Sequence, residues 1–255
     1  MIQQGSAYWL KNQDSQNSHF NLLELASTQR AITNYVKILT GREIPVEFVD
    51  PRGDSMTDGE SIEIASRINH KNVDEVVGLA LHEASHCILT DFKIVKKLGN
   101  VILQDHKYKH LFPNRDHVFL FTNFMEDRRI DDFVYNSAPG YKAYYESMYE
   151  SSFFNDTINK GLTGTEYRTE TWESYMFRII NIFNPNSDLD ALYNLRKIYD
   201  IIDLDHINRL KSTRDSIDVA MEITDIVRAS IIVERMINED NFDQSVLEKS
   251  HKKEG

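Results

Sequence analysis

Residues 78–89 read GLALHEASHCIL and contain the pattern His-Glu-x-x-His within an apolar segment. On an α-helix, residues four positions apart lie on one face, so His82 and His86 can bind one metal ion. Glu83 lies beside them, within reach of a water molecule held by that ion. The apolar neighbours predict a buried helix, and buried histidine and glutamate side chains need partners. The stretch therefore predicts a buried metal-binding helix.

Two alternatives compete with this interpretation. One is a surface helix that carries two histidines by chance, because short motifs have a real false-positive rate. The other is a helical protein that binds no metal at all. The apolar residues around the motif disfavour the surface helix, so we expect a metal site.

Composition limits the class of protein. The chain has 255 residues, of which 41% are hydrophobic and 27% charged, which suits one large domain or two small ones. The net charge of −11 disfavours a nucleic-acid partner. No apolar run has the length of a membrane span, and residues 1–5 lack the features of a signal peptide. A single cysteine, Cys87, excludes an intramolecular disulfide and favours core packing, so we expect a cytoplasmic protein without a membrane partner.

The periodicity predicts an α+β fold that is mainly α-helical. A helix is expected over 18–40, followed by strands at 45–49 and 61–65 that form a small sheet beside the metal helix. Asn72 and Glu75 have the spacing of a capping box, which predicts a metal helix from Val73 to Leu89 or Thr90. Further predicted helices cover 92–103, 115–136, 141–149, 171–184, 187–202 and 206–239, with a loop over 157–170. We divide the chain into an N-terminal part, 1–110, with the sheet and metal helix, and a helical part, 111–255, as one continuous unit.

A third metal ligand is needed, because a catalytic zinc has three protein ligands and one open position. The three-histidine pattern His-Glu-x-x-His-x-x-Gly-x-x-His is excluded, since its last two positions hold Leu89 and Phe92. A carboxylate from the helix at 115–136 remains. We choose Glu126, which interrupts an apolar stripe and needs a partner there. The alternative is Asp127, in which case Asp131, one turn later, would support the site from outside.

Two further patterns bear on the site. Residues 125–131 could instead form a solvated, salt-bridged helix face. His106 and His110 repeat the four-residue spacing, but lysines surround them, so we expect them to be solvated.

The expected chemistry is hydrolysis. Zinc lowers the pKa of bound water toward about 7, and Glu83 would accept the proton of that water and pass it to the leaving amine. A further donor would stabilise the oxyanion, and the candidates are Tyr141, Tyr144 and Tyr145, of which we choose Tyr145.

These motifs resemble a known family. They are similar to the zinc metallopeptidase domains that occur in bacteriophages and bacteria beside von Willebrand factor A-type domains, and that are related to the CobT-like subunit of cobaltochelatase. The matching segments lie between about 55 and 145: the Thr-Asp-Gly turn at 57–59 with its strand, residues 81–86 and 90–92, the Asn-x-x-Glu-Asp-x-Arg-Ile pattern at 123–130, and Pro-Gly at 139–140.

The resemblance implies a zincin-like helix with His82 and His86 as zinc ligands, Glu83 as the catalyst, and a third ligand in the pair Glu126 and Asp127. It implies a protein or peptide substrate, and in a phage-encoded protein the host cytoplasm. Such relatives work with AAA+ ATPases, so an ATPase and a von Willebrand factor A domain are expected partners. This sequence lacks the Asp-x-Ser-x-Ser motif of that domain, so we expect the domain on a separate chain or on a longer form of this one. The second interpretation of the function is a non-catalytic, zinc-containing assembly subunit.

Overall fold

The computed structural model describes residues 22–50, 52–65 and 71–251. This part of the chain forms a small sheet and a set of helices, and it confirms the predicted α+β class with mainly helical content. The strands are β1 (Val46–Val49), β2 (Met56–Thr57) and β3 (Ile62–Ala65). The helices are α1 (Leu22–Thr40), α2 (Val73–Leu89), α3 (Phe92–Leu98), α4 (Arg115–Ser137), α5 (Lys142–Phe153), α6 (Asp156–Thr163), α7 (Trp172–Ile180), α8 (Leu195–Ile202) and α9 (Thr213–His251).

The sheet has the order β1-β3-β2. The predicted strands β1 and β3 pair in parallel, with Val46 opposite Ile62, and β2 pairs with β3 in the antiparallel direction. Ile62 and Ile64 are fully buried on one face of β3, where they join the same core as α2. The sequence did not predict β2, because two residues are too short to show an alternating pattern.

Helix α2 runs from Val73 to Leu89, as predicted. The capping box was wrong, because the Asn72 side chain makes no capping hydrogen bond and the Glu75 carboxyl bonds to Ser151 on α5 instead. Helix α5 approaches closely at Gly78, where an added Cβ would lie 2.4 Å from the carbonyl oxygen of Tyr144. This close contact fixes α2 between the sheet and α5.

Helix α4 lies between two hydrophobic cores. The first core surrounds α2 and includes Ile62, Leu81, Val134 and Met148, so it draws residues from both sides of position 110. The second core is formed by α4, α7, α8 and α9. The division at residue 110 stays a prediction.

Several predicted boundaries were wrong. The expected loop at 157–170 contains α6, which begins at an Asn155 cap and buries Ile158 and Leu162. Helix α8 begins only at Leu195, after Asn194 in the left-handed conformation. The last helix begins at Thr213 rather than at 206. Short helices such as α6 and α8 depend on tertiary packing, which local patterns do not report.

His106 and His110 are exposed, as expected for solvated side chains. Cys87 is partly buried, packs against the core of α2, and has its Sγ 3.2 Å from Thr57 Oγ1. Among the helices that the structure describes, none is long and apolar enough to cross a membrane.

Candidate metal centre

Helices α2 and α4 bring three ligating side chains together. His82 and His86 come from α2 and Asp127 comes from α4, and all three are buried, with 3%, 7% and 3% of their surface exposed. One ligand atom from each lies within 4.8 Å of the other two. The described residues contain no other group of this kind, and this one could hold a metal ion.

The Asp127 carboxylate lies between the two imidazoles. Its Oδ1 is 3.1 Å from His86 Nε2 and 3.7 Å from His82 Nε2. The Asn123 amide donates to the other oxygen, Oδ2, at 3.3 Å. The Nε2 atoms of both histidines therefore face the same carboxylate oxygen, which is a suitable arrangement for a shared ion.

His82 is oriented by a second carboxylate. Its Nδ1 lies 2.8 Å from Asp131 Oδ1, and the Tyr149 hydroxyl donates to Asp131 Oδ2 at 2.6 Å. Burial lowers the pKa of His82, but the nearby carboxylates, Asp131 first and then Asp127 and Glu83, together raise it by more, to about 10. Metal binding would therefore displace a proton from this ring, as it does at histidine sites in general. A carboxylate behind a ligating histidine is typical of metal sites.

Glu126, our predicted third ligand, does not join the histidines. Its Oε1 accepts hydrogen bonds from Thr90, at 2.9 Å, Thr213, at 2.8 Å, and Arg129, at 2.6 Å. Its Oε2 accepts from Ser216, at 2.8 Å, and again from Arg129, at 2.9 Å. Burial raises the pKa of Glu126, and Arg129 with the two α9 hydroxyls lowers it by more, so the carboxyl is ionised.

The third candidate ligand is therefore Asp127 rather than the predicted Glu126. Consecutive residues on an α-helix point about 100° apart, so only one of this pair can point to the two histidines. Asp131 has the supporting position that we expected in the case of Asp127 as ligand. The interpretation of residues 125–131 as a solvated face is wrong, because residues 125 to 131 are all buried.

Glu83 lies on α2 next to His82 and is 4% exposed. Burial raises the pKa of its carboxyl, and the nearby His82 and His86 lower it by less. A carboxyl with a raised pKa is a better proton acceptor than an ordinary surface glutamate.

The tyrosines in α5 and at its N-cap differ in their contacts. The Ser85 hydroxyl donates to the Leu81 carbonyl at 2.7 Å, so the Tyr145 hydroxyl, 3.4 Å from Ser85, is the donor in that pair. A role for Tyr145 at the oxyanion stays a prediction. The Tyr141 ring packs against Tyr35 at a centroid distance of 5.0 Å. It is Tyr149 that contacts the site, through Asp131.

Arg128 occupies an aromatic cage behind Asp131. Its guanidinium carbon lies 4.8 to 5.6 Å from the ring centroids of four residues, namely Phe183, Tyr149, Phe153 and Phe124. The side chain is 6% exposed, and its Nη2 lies 3.5 Å from Asp131 Oδ2. The cage places one buried positive charge beside the carboxylates of the site.

The charges of the site fit a divalent cation. Four buried carboxyls, those of Glu83, Glu126, Asp127 and Asp131, face two buried guanidinium groups, those of Arg128 and Arg129. With all four carboxyls ionised and both imidazoles neutral, as metal binding requires, two negative charges remain without a counter-charge in the protein, and buried charges of this kind are costly. The two imidazoles and the carboxylate are also ligands that zinc prefers, so the residues present fit a divalent metal ion.

Sequence reasoning missed three residues that support the site. Tyr149 bonds to Asp131, and Thr213 and Ser216 bond to Glu126 from about 90 positions away. The Ser/Thr spacing at 213–216 resembles an ordinary helix start, so no sequence signal could have linked it to a metal centre.

Comparisons of the chain with family models, with curated proteins and with solved structures give no match. The resemblance to the phage and bacterial metallopeptidase domains is therefore still a prediction.

Proposed function

We propose that this chain is a zinc-dependent metallopeptidase that hydrolyses peptide bonds of a protein or peptide substrate. His82, His86 and Asp127 would hold the ion. When bound, zinc supplies Lewis acidity toward the scissile carbonyl and lowers the pKa of water.

Glu83 is the general base of the proposed reaction. Its carboxyl is buried next to His82 and is not one of the three candidate ligands. Its raised pKa makes it a stronger base than an ordinary glutamate. It takes the proton of the attacking water and delivers it to the leaving nitrogen. Asp131 and Tyr149 hold His82 in place during these steps.

One observation carries the proposal: within the described part of the chain, the site offers three ligand residues rather than four. Structural zinc sites are usually closed by four protein ligands, while catalytic sites have three and an open position. Glu83 beside such an open position is the arrangement of a hydrolytic site.

The test combines metal analysis with cleavage of a peptide library by the purified chain. We expect about one zinc per chain, loss of cleavage on chelation, and recovery with added zinc. Glu83→Gln should retain the metal and abolish cleavage. Glu75→Gln is the matched control, because Glu75 lies two turns earlier on α2 and bonds to Ser151 on α5. Cleavage that persists in Glu83→Gln would remove Glu83 from the mechanism.

The alternative is a non-catalytic assembly subunit with a structural zinc. The burial of all three ligands favours it, since a deeply buried site restricts access of a substrate. It predicts zinc binding without cleavage of any peptide, and unfolding on chelation. A von Willebrand factor A-domain protein and an AAA+ ATPase in the cytoplasm are the partners we propose for either role, and pull-down with such proteins tests them.

A further inference from the structure

Glu126 has no role in the proposed reaction, yet its carboxylate is the most heavily hydrogen-bonded group near the metal centre. Every partner is a donor: a guanidinium from α4 and three hydroxyls from Thr90, Thr213 and Ser216. The Arg129 guanidinium donates to both oxygens of this carboxylate, which therefore has no hydrogen to give, so each of these hydroxyls must direct its single hydrogen toward Glu126.

The direction of the Thr90 hydrogen determines what its oxygen can do. The hydroxyl oxygen lies 2.9 Å from Glu126 Oε1 and also 2.9 Å from His86 Nδ1. Because its hydrogen points to Glu126, the Thr90 oxygen can only accept on its other side. His86 must then donate, which requires a proton on Nδ1.

The proton on Nδ1 decides which nitrogen of His86 is free. An imidazole protonated on Nδ1 has its ligating lone pair on Nε2. Nε2 is the atom that faces Asp127, at 3.1 Å. With a proton on Nε2 alone, two acceptor atoms, Nδ1 and the Thr90 oxygen, would face each other in a buried site, which is unfavourable.

We infer that Glu126 is a positioning residue that acts through Thr90 to keep the His86 proton on Nδ1, so that Nε2 binds the metal. The two histidines are then oriented in different ways. His82 meets the Asp131 carboxylate directly, and His86 meets the Glu126 carboxylate through one hydroxyl. The inference rests on the metal-binding part of the proposed function and extends it to the choice of ligating atom.

The test uses the full chain, zinc as the metal, and nitrogen–proton NMR of the histidine side chains. In the wild type, with and without zinc, His86 should show an exchange-protected proton on Nδ1, and with zinc its Nε2 should carry the metal. Thr90→Val is nearly isosteric and removes the hydroxyl. It should lose the protected proton and weaken zinc binding about 10- to 100-fold in chelator competition, as expected for a supporting residue of a metal ligand. Thr90→Ser returns the hydroxyl and should restore both.

Thr224→Val is the matched control. Thr224 is buried on α9, and its hydroxyl bonds to the Ala220 carbonyl at 2.7 Å. This variant loses a buried hydroxyl far along α9 from Glu126, so the His86 signal and the zinc affinity should not change.

A wild-type His86 that carries a proton on Nε2 but none on Nδ1, or that binds zinc through Nδ1, would overturn the inference without any variant. So would a Thr90→Val protein with unchanged zinc affinity and an unchanged His86 proton. A chain that binds no zinc would instead overturn the proposed function, and the metal-free spectrum would still report the position of the His86 proton.

Discussion

At the residue scale, two adjacent carboxylates of α4 have different environments. Asp127 faces the histidines of α2, and its contacts leave Oδ1 directed toward both rings. Glu126 faces α9 and Arg129, and all its partners are donors from the protein. The same functional group is therefore a candidate ligand at one position and a support at the next.

Substitution should separate these two roles. Asp127→Ala removes a candidate ligand and should abolish stoichiometric zinc binding, while the fold without metal persists. Glu126→Ala leaves the buried Arg129 without its counter-ion, which costs about 3 to 5 kcal/mol. It should therefore lower stability strongly even without metal. Metal analysis and urea unfolding of the metal-free proteins measure the two effects, and equal zinc loss with no difference in stability would contradict the assignment.

Arg128 provides a second prediction at this scale. Arg128→Met leaves the Asp131 carboxylate buried with less positive charge nearby and removes the cation from four aromatic rings. We expect a loss of about 3 kcal/mol in the free energy of unfolding, the lower end of the cost of breaking a buried ion pair. Arg196→Met is the control, because Arg196 pairs with Asp190 at the surface. Both variants are compared by urea unfolding, and equal stability of the two would count against the buried charge.

At the element scale, the position of α2 depends on its contact with α5. The two helices are closest at Gly78, where α5 presents the Tyr144 carbonyl and the side chain of Met148. A glycine there allows α5 to pass close to α2, so that Tyr149, just after Met148 on α5, reaches Asp131.

A single methyl group should disturb this contact. In Gly78→Ala the new Cβ would lie 2.4 Å from the Tyr144 carbonyl oxygen, so α5 must move. Overpacking of this kind costs about 2 kcal/mol, which exceeds the gain in helix propensity from alanine. Gly140→Ala is the control, since its Cβ would meet nothing within 4 Å. Thermal unfolding should show a lower midpoint for the first variant only, and a rise in its midpoint would contradict the close contact.

At the scale of the whole molecule, the candidate metal centre joins elements that are distant in sequence. Thr213 accepts a hydrogen bond from the Asp91 backbone at 2.8 Å and donates to Glu126. The first turn of α9 is therefore bonded both to the segment that follows α2 and to α4. The start of α9 is therefore part of the structure that holds His86.

Zinc should consequently stabilise α9 as well as α2. Ligand binding at about 100 times its dissociation constant adds about 2.7 kcal/mol to stability. Hydrogen exchange measured by mass spectrometry should show increased protection both in α2 and in the first turn of α9 when zinc is added. The end of α8, around Ile202, provides an internal comparison. Protection limited to α2 and α4 would contradict the coupling.

The sequence by itself determined helix α2 with its two histidines and the mainly helical α+β class. Apolar flanks and a four-residue spacing are local properties, and a helix of 17 residues shows its period clearly. The local pattern also identified the α4 segment that supplies a carboxylate. It did not identify β2 or α6, since such short elements form only when packed against others.

Only the tertiary structure decided which carboxylate faces the histidines and what supports them. Glu126 and Asp127 are neighbours in sequence, and the rotation of α4 against α2 and α9 sends one toward each helix. Thr213 and Ser216 join the site from about 90 residues away, and no local period encodes such a contact. The physical reason is that a helical pattern fixes the relative directions of side chains on one helix, while the partner in each direction depends on how the helices pack.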